Sequence, residues 1–234
     1  MNKLVAVTGG TKGIGKAIAI RFLKAGHRVI VCSRDEKNFK SMRSELENDL
    51  SDSLSFFQAD VSKQEEAEGF ADAVLGLESD LGILVNNAGT FLPGAIHLEP
   101  EGTLQTLMEA NMYSAYWISR KLIPSMIEKK QGHIFNICST ASIIPYENGG
   151  AYCISKFALL GFSKLLRMEL MEKRIKVTAV LPGATWTDSW SSSGMEEERF
   201  IPVNDIADLI YTTYNLSDST NVEEILIRPQ LGDV

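Results

Sequence analysis

Short, uninterrupted apolar runs alternate along the chain with stretches in which apolar residues return every three or four positions. The runs are Leu4–Thr8, Arg28–Ser33, Leu54–Gln58, Ile83–Asn86, His133–Cys138, Lys176–Leu181 and Glu224–Ile227. A run that is apolar at consecutive positions has no wet face, the pattern of a parallel strand covered on both sides. Helical spacing falls at about 14–25, 36–50, 63–79, 100–130, 151–173 and 203–215. The first of these carries Ile14, Ile18, Phe22 and Ala25, with Gly26 as a stop signal. Seven strands alternating with helices predict an α/β fold: a seven-stranded, doubly wound parallel sheet with helices on both faces, in one domain spanning residues 1–234. Thr185–Pro202 breaks the alternation. It holds Trp186, Trp190, the small polar stretch Ser191–Gly194 and the acidic run Glu196–Glu198. It reads as a mobile substrate loop or lid, or as an ordinary surface excursion.

Composition narrows the function classes. With 23 Lys and Arg against 30 Asp and Glu, the net charge is −7 and the isoelectric point near 5.1. That balance argues against a nucleic-acid or anionic-membrane partner, both of which require a basic surface. No apolar run is long enough to span a bilayer, and Met1–Asn2–Lys3 leads straight into a strand with no signal-peptide pattern. The odd set Cys32, Cys138 and Cys153, each in an apolar stretch and without a CxxC pair, fits small buried hydrophobes in a reduced, cytoplasmic protein. His27, His97 and His133 belong to no metal-ligand spacing, so no metal site is expected, and they read as loop and strand-edge residues.

Thr8–Gly9–Gly10–Thr11–Lys12–Gly13–Ile14–Gly15 joins the first strand to the first helix. Glycines in such a turn let backbone N–H groups approach a pyrophosphate at the positive end of the helix. Simple tight-turn glycines are the alternative, and the strand-before, helix-after context favours the phosphate reading. The spacing TGxxxGxG resembles the short-chain dehydrogenase/reductase family, and further matches follow in order along nearly the whole chain. Asn86–Asn87–Ala88–Gly89 matches the family's NNAG, and Asp60–Val61 its acidic-apolar pair, whose Asp meets the adenine. Asn111, Ser139, Tyr152 and Lys156 match its catalytic set, and Pro182–Gly183–Ala184–Thr185–Trp186–Thr187 its PGxxxT. The resemblance implies a Rossmann-type fold and a bound nicotinamide dinucleotide. It implies a cofactor site built from Gly9, Thr11, Lys12, Gly13, Ile14, Gly15, Ser33, Arg34, Asp60, Val61, Asn87, Ala88, Gly89, Tyr152, Lys156, Pro182, Gly183, Thr185 and Thr187.

The end of the second strand bears on the choice of dinucleotide. An acid there grips the ribose hydroxyls of NAD. Here the strand ends Cys32–Ser33–Arg34, and Lys12 lies in the glycine turn. Two cations beside the ribose suit a 2′-phosphate, Arg through its bidentate fork and Lys as a point charge. The expectation is NADP(H). Two solvated surface cations are the alternative, and Asp35 lies close enough in sequence to blunt Arg34.

Tyr152 and Lys156 are four residues apart, on one helix face. Ser139 lies just beyond the fifth strand, where open α/β sheets build their sites. A phenol ordinarily keeps its proton to about pH 10. An ammonium about 5 Å away, at an effective dielectric of about 20, favours a phenolate by roughly 3 kcal/mol. These parts suit hydride transfer to a carbonyl carbon. Ser139 holds the carbonyl oxygen, Tyr152 donates the proton, and Lys156 assists Tyr152 and, by the resemblance, binds the nicotinamide ribose. Asn111 interrupts the apolar stripe Leu104, Leu107, Ala115, Ile118 and Leu122. A buried amide left unpaired there costs about 1–3 kcal/mol. A bond to neighbouring backbone would satisfy it. In the family, the matching Asn kinks its helix and holds a relay water, and both can hold together.

The substrate pocket is expected between Ser139 and Tyr152 and along the loop after Gly183, with Phe91, Ile144, Tyr146, Trp186, Trp190, Met195 and Phe200 as candidates. Tyr146, Trp186 and Trp190 suit a flat or aromatic substrate, with helix-core packing the alternative for each. The tail from Val222 to Val234 resembles that of bacterial sepiapterin-reductase-like members. Asp233 there is a candidate partner for a pterin's guanidine-like edge, or part of a frayed terminus. The resulting expectation is an NADPH-dependent reductase of a small carbonyl substrate, and 3-oxoacyl thioester reduction is the alternative. A non-catalytic dinucleotide-binding regulator is a more remote one, against which the intact Ser139–Tyr152–Lys156 set counts. The resemblance also implies a homodimer or homotetramer built on the helices at 100–130 and 151–173.

Overall fold

The structure is a computed structural model that describes residues 2–77, 80–187 and 194–233. Seven strands form one sheet: β1 (Leu4–Thr8), β2 (Arg28–Ser33), β3 (Leu54–Gln58), β4 (Leu81–Asn86), β5 (Gly132–Ile137), β6 (Ile175–Pro182) and β7 (Glu224–Ile227). Every pairing is parallel, in the order β3-β2-β1-β4-β5-β6-β7. The helices are α1 (Gly13–Lys24), α2 (Glu36–Ser44), α3 (Asn48–Asp52), α4 (Gln64–Leu75), α5 (Thr103–Met108), α6 (Ser114–Lys129), α7 (Gly150–Leu170) and α8 (Val203–Tyr214).

Strand parity divides the core into two layers, because successive side chains leave a strand on opposite faces. Val5, Val7, Val29, Val31, Ile83 and Val85 pack beneath α1, α2 and α8 against Ile18, Phe22, Met42, Ile206 and Ile210. Leu4, Ala6, Ile30, Leu84 and Ile134 pack on the other face, under α4, α6 and α7, against Phe70, Val74, Ile118, Leu122, Leu166 and Leu170. Both faces of β1, β4, β5 and β6 are dry, which is why these strands are apolar at consecutive positions, whereas the edge strand β7 is partly exposed. The chain runs outward from β1 to β3, then returns to place β4 on β1's other side. That reversal opens a crevice beyond the carboxyl ends of β1 and β4.

Three expectations are corrected. The stretch 36–50 is two helices, because α2 closes at Glu45 through 3₁₀-type bonds from Glu45 N to Met42 O and Leu46 N to Arg43 O. The stretch 100–130 is α5 and α6 joined by a π turn, Glu109–Tyr113, centred on Asn111. His27 and His133 are not ordinary loop and strand-edge residues: both are buried, His133 on the interior strand β5 at 2% exposure. The three cysteines are buried, and burial raises the Cys32 thiol to about 12 and Cys138 to about 11. Among the described residues, no helix is long and apolar enough to cross a membrane.

Candidate active site

The glycine turn is bolted to the end of β4. Thr8 Oγ1 accepts from the N–H groups of Asn87 and Ala88, both at 2.9 Å, while Asn87 Nδ2 donates to Thr8 O at 2.9 Å and Gly9 O at 3.1 Å. Gly15 lies so close beneath that a Cβ would stand 2.4 Å from both Asn87 Nδ2 and Gly9 O, so only glycine fits. Helix α1 starts with Lys12 at its N-cap, without a side-chain cap and without an acid in its first turn. Its first N–H groups and the positive end of its dipole therefore face the crevice uncompensated by the helix itself, which suits an anionic group. Thr187 reaches the same turn, its Cγ2 3.2 Å from where a Gly13 Cβ would stand.

Lys12 and Arg34 are both exposed at this end of the sheet. Asp35 directs Oδ1 to the N–H of Lys37 at 2.8 Å, capping α2, so that carboxylate is engaged with backbone. Ser33 Oγ donates to Asp35 O at 3.1 Å, and Gln58 Nε2 donates to Arg34 O at 3.0 Å, which ties the end of β2 to β3. Asp60 accepts from Ser62 N at 3.2 Å and Ser62 Oγ at 2.7 Å, and Val61 is buried. With an exposed cation in the glycine turn and another at the end of β2, a closely approachable turn and an open helix end, the crevice fits a phosphorylated dinucleotide.

The remaining residues converge at the ends of β4, β5 and β6. Lys156 is 5% exposed, donates to Ile137 O at 2.9 Å and stands 5.9 Å from the centre of the Tyr152 ring. Ser139 caps a 3₁₀ turn, its Oγ accepting from Ala141 N at 3.1 Å while its own N–H donates to Ser142 Oγ at 3.1 Å. A hydroxyl accepting in this way still has its proton to donate. Asn111 is fully engaged: Oδ1 accepts from Thr90 N at 2.7 Å, and Nδ2 donates to Thr90 O at 3.0 Å and Ser155 Oγ at 2.9 Å. The amide is thus satisfied by the Thr90 backbone and the Ser155 hydroxyl, and it lies within the π turn of its helix. A Cβ on Gly89 would stand 3.0 Å from Asn111 Oδ1 and 3.7 Å from Lys156 Nζ, so all three residues share one small space.

Phe91 meets the Tyr152 ring edge-on at 4.9 Å between centroids. Tyr146 and Ile144 are exposed nearby. Partial burial, then Tyr152 and Cys153, raise the Tyr146 phenol above its ordinary range. Trp186 packs on Phe200 at 5.2 Å and lines, with Gly13, Ala17, Thr187 and Val203, a cavity of about 290 Å³ on the α1–α8 side. Trp190 lies outside the described residues. Pro182 ends β6, Gly183 N donates to Ile227 O at 2.8 Å, and Thr185 Oγ1 donates to Gly183 O at 3.0 Å. Asp233 is ion-paired with Arg228 and lies over Gly183, its Oδ1 2.9 Å from where a Cβ would stand. Arg199 holds the tail there through the carbonyls of Gly232, Asp233 and Leu231 at 3.0, 3.2 and 3.4 Å.

Sequence reasoning missed Thr8 and Ser155. Thr8 opens the glycine motif at the carboxyl end of β1, and a hydroxyl at that place was a readable signal. Ser155 precedes Lys156 and gave none, because its partners are Asn111 and Tyr152 O, the latter at 2.8 Å.

The short chain dehydrogenase family model matches residues 3–198, and the chain belongs to that family. The chain is 28% identical to a sepiapterin reductase of Chlorobaculum tepidum over 244 aligned positions, covering 100% of this chain and 99% of that protein. It is 30% identical to an NADP-dependent 3-hydroxy acid dehydrogenase of Salmonella typhi, covering 97% of this chain and 94% of the other. Among solved structures, a metagenomic short-chain oxidoreductase in complex with NADP superposes with a TM-score of 0.82 at 29% identity, covering 97% of each chain.

Proposed function

We propose that the protein is an NADP(H)-dependent carbonyl reductase whose one catalytic domain converts a small ketone to an alcohol, with a sepiapterin-like side-chain ketone as the particular substrate. The observation that carries this reading is Lys156: a buried ammonium, anchored on Ile137 O and facing the Tyr152 ring at the strand ends where Ser139 also lies. Residues of the glycine turn, Asn87–Gly89, Lys156 and the Pro182–Thr187 segment would hold the dinucleotide. Lys12 and Arg34 would meet its 2′-phosphate, as the NADP-dependent relative suggests. When bound, the dinucleotide supplies the hydride that the carbonyl carbon receives.

This chain's own residues do the rest. Ser139 Oγ donates a hydrogen bond to the carbonyl oxygen and fixes its direction. Tyr152 gives that oxygen a proton as negative charge develops on it. Lys156 stabilises the charge left on the phenol oxygen, an effect strengthened by its near-complete exclusion from water. Alcohol oxidation uses the same groups in reverse.

The walls favour an uncharged ketone over a carboxylate-bearing one. The described segments 90–99, 139–151, 183–187 and 194–200 contain one Lys or Arg, Arg199, and its guanidinium is engaged by the tail carbonyls. Exposed Phe91, Leu92, Ile96 and Leu98 favour a second reading, an acyl thioester, whose chain would lie on this apolar surface.

Tyr152→Phe is expected to lower kcat at least about a hundredfold while NADPH binding, read by fluorescence titration, stays within about twofold. A variant that keeps its turnover would remove the mechanism. NADPH absorbance followed with sepiapterin, acetoacetyl thioester and simple diketones separates the substrate readings.

A further inference from the structure

The loop between β4 and α5 is fastened to helix α7 at two points. The first is Asn111, which binds Thr90 through both backbone groups and Ser155 of α7 through Nδ2. The second is Glu99, whose Oε1 accepts the N–H of Ala151 at 2.8 Å. Ala151 lies in the first turn of α7, immediately before Tyr152. That helix has no side-chain cap at Gly149 and no acid in its own first turn, so Glu99 supplies from another element the carboxylate that the helix lacks.

The joint is tightly built. A Cβ on Gly150 would stand 2.1 Å from Glu99 Oε1 and 2.3 Å from Gly94 O, and one on Gly94 would stand 2.6 Å from Glu99 Cγ. Gly94 N donates to Asn148 O at 2.8 Å, and Glu99 N donates to Ala95 O at 3.0 Å. Between the two fastenings lies Phe91, edge-on to the Tyr152 ring.

We propose that Glu99 is a positioning residue for the reaction: it sets the first turn of α7 and the Phe91 wall, and through both the direction of the Tyr152 hydroxyl. This rests on Tyr152 being the proton donor. Glu99 touches neither substrate nor dinucleotide in this scheme. A misplacement on the order of 1 Å at a reacting group can cost about a hundredfold in rate.

The test compares Glu99→Ala, Glu99→Gln and Tyr152→Phe, using the ketone that the wild type reduces fastest. Glu99→Ala is expected to lower kcat about 10- to 100-fold with NADPH affinity within about twofold, because the glycine turn and its cations sit on other elements. Glu99→Gln keeps an acceptor at the same reach and is expected to restore kcat to within about threefold of wild type. If Glu99→Ala fails to fold, Glu99→Asp withdraws the acceptor by one methylene and is expected to show the same loss of kcat at unchanged NADPH affinity. Wild-type kcat in the Ala or Asp variant, with only the melting temperature lowered, overturns the proposal, and so does an equal loss in Ala and Gln. An inactive Tyr152→Phe beside a fully active Glu99→Ala refutes the role of Glu99 alone. A fully active Tyr152→Phe refutes the reading of Tyr152 itself.

Discussion

Lys156 is a cation with almost no water around it, held by a single main-chain oxygen at the end of β5. Burying an ammonium is costly unless its charge is used, and Tyr152 is the group it faces. Arg34 is the opposite case, an exposed guanidinium whose backbone carbonyl, not its side chain, is tied to Gln58. Its replacement should therefore spare the strand and cost only what the side chain binds. A charge-assisted hydrogen bond contributes about 1.5–3 kcal/mol, or roughly 10- to 100-fold. Arg34→Ala is accordingly expected to lower the ratio of kcat/KM for NADPH to that for NADH by at least about tenfold. An unchanged ratio would show that Arg34 does not meet a 2′-phosphate.

Strand β5 carries a titratable group that the chemistry does not use. Thr178 Oγ1 donates to Val222 O at 2.6 Å, so the 2.8 Å contact with His133 Nε2 has the histidine as donor, and Nδ1 is left unpaired. Burial, then the charge of Lys176, lowers the His133 pKa to about 3. Its folded value lies below the unfolded 6.5, so the unfolded chain binds the extra proton between them. The stability that neutral His133 contributes is complete above pH 6.5 and is lost as pH falls toward 3. The slope is at most about 1.4 kcal/mol per pH unit. Urea unfolding of wild type and His133→Gln should show wild type losing more stability between pH 7.5 and about 4.5, and parallel losses would count against the assignment. At this scale the strands were legible, because burial on both faces writes itself as consecutive apolar residues. The break inside 100–130 was not, because the π turn follows from a bond between Asn111 and Thr90, across a turn of chain that the helical spacing does not record. Tyr152, Lys156 and Ser139 were picked out by their resemblance to the family's motifs, and the structure places Lys156 beside the Tyr152 ring and Ser139 just beyond β5. Ser155 and Glu99 were not, since each has a function only through a partner more than forty residues away.

For the whole molecule, two neighbouring helices leave apolar side chains in water. Tyr116 on α6 and Ile154, Phe157, Leu165 and Met168 on α7 are all exposed. The same helices bury Ile118, Leu122, Leu159 and Leu166 on their sheet side, so both of their faces are apolar. A second copy of the chain would cover this surface. Light scattering is expected to give a dimer or tetramer, and Phe157→Asp to reduce it to a monomer with its circular dichroism unchanged. A monomeric wild type would refute the interface.

An all-parallel sheet contains no hairpin, so even strands that follow one another in the chain, such as β1 and β2, pair only across a long crossover. The Thr8–Asn87 junction closes a loop of 79 residues and must wait until the first half of the chain has collapsed. The crevice therefore exists only in the folded chain, and anything that occupies it favours the folded ensemble over the unfolded one.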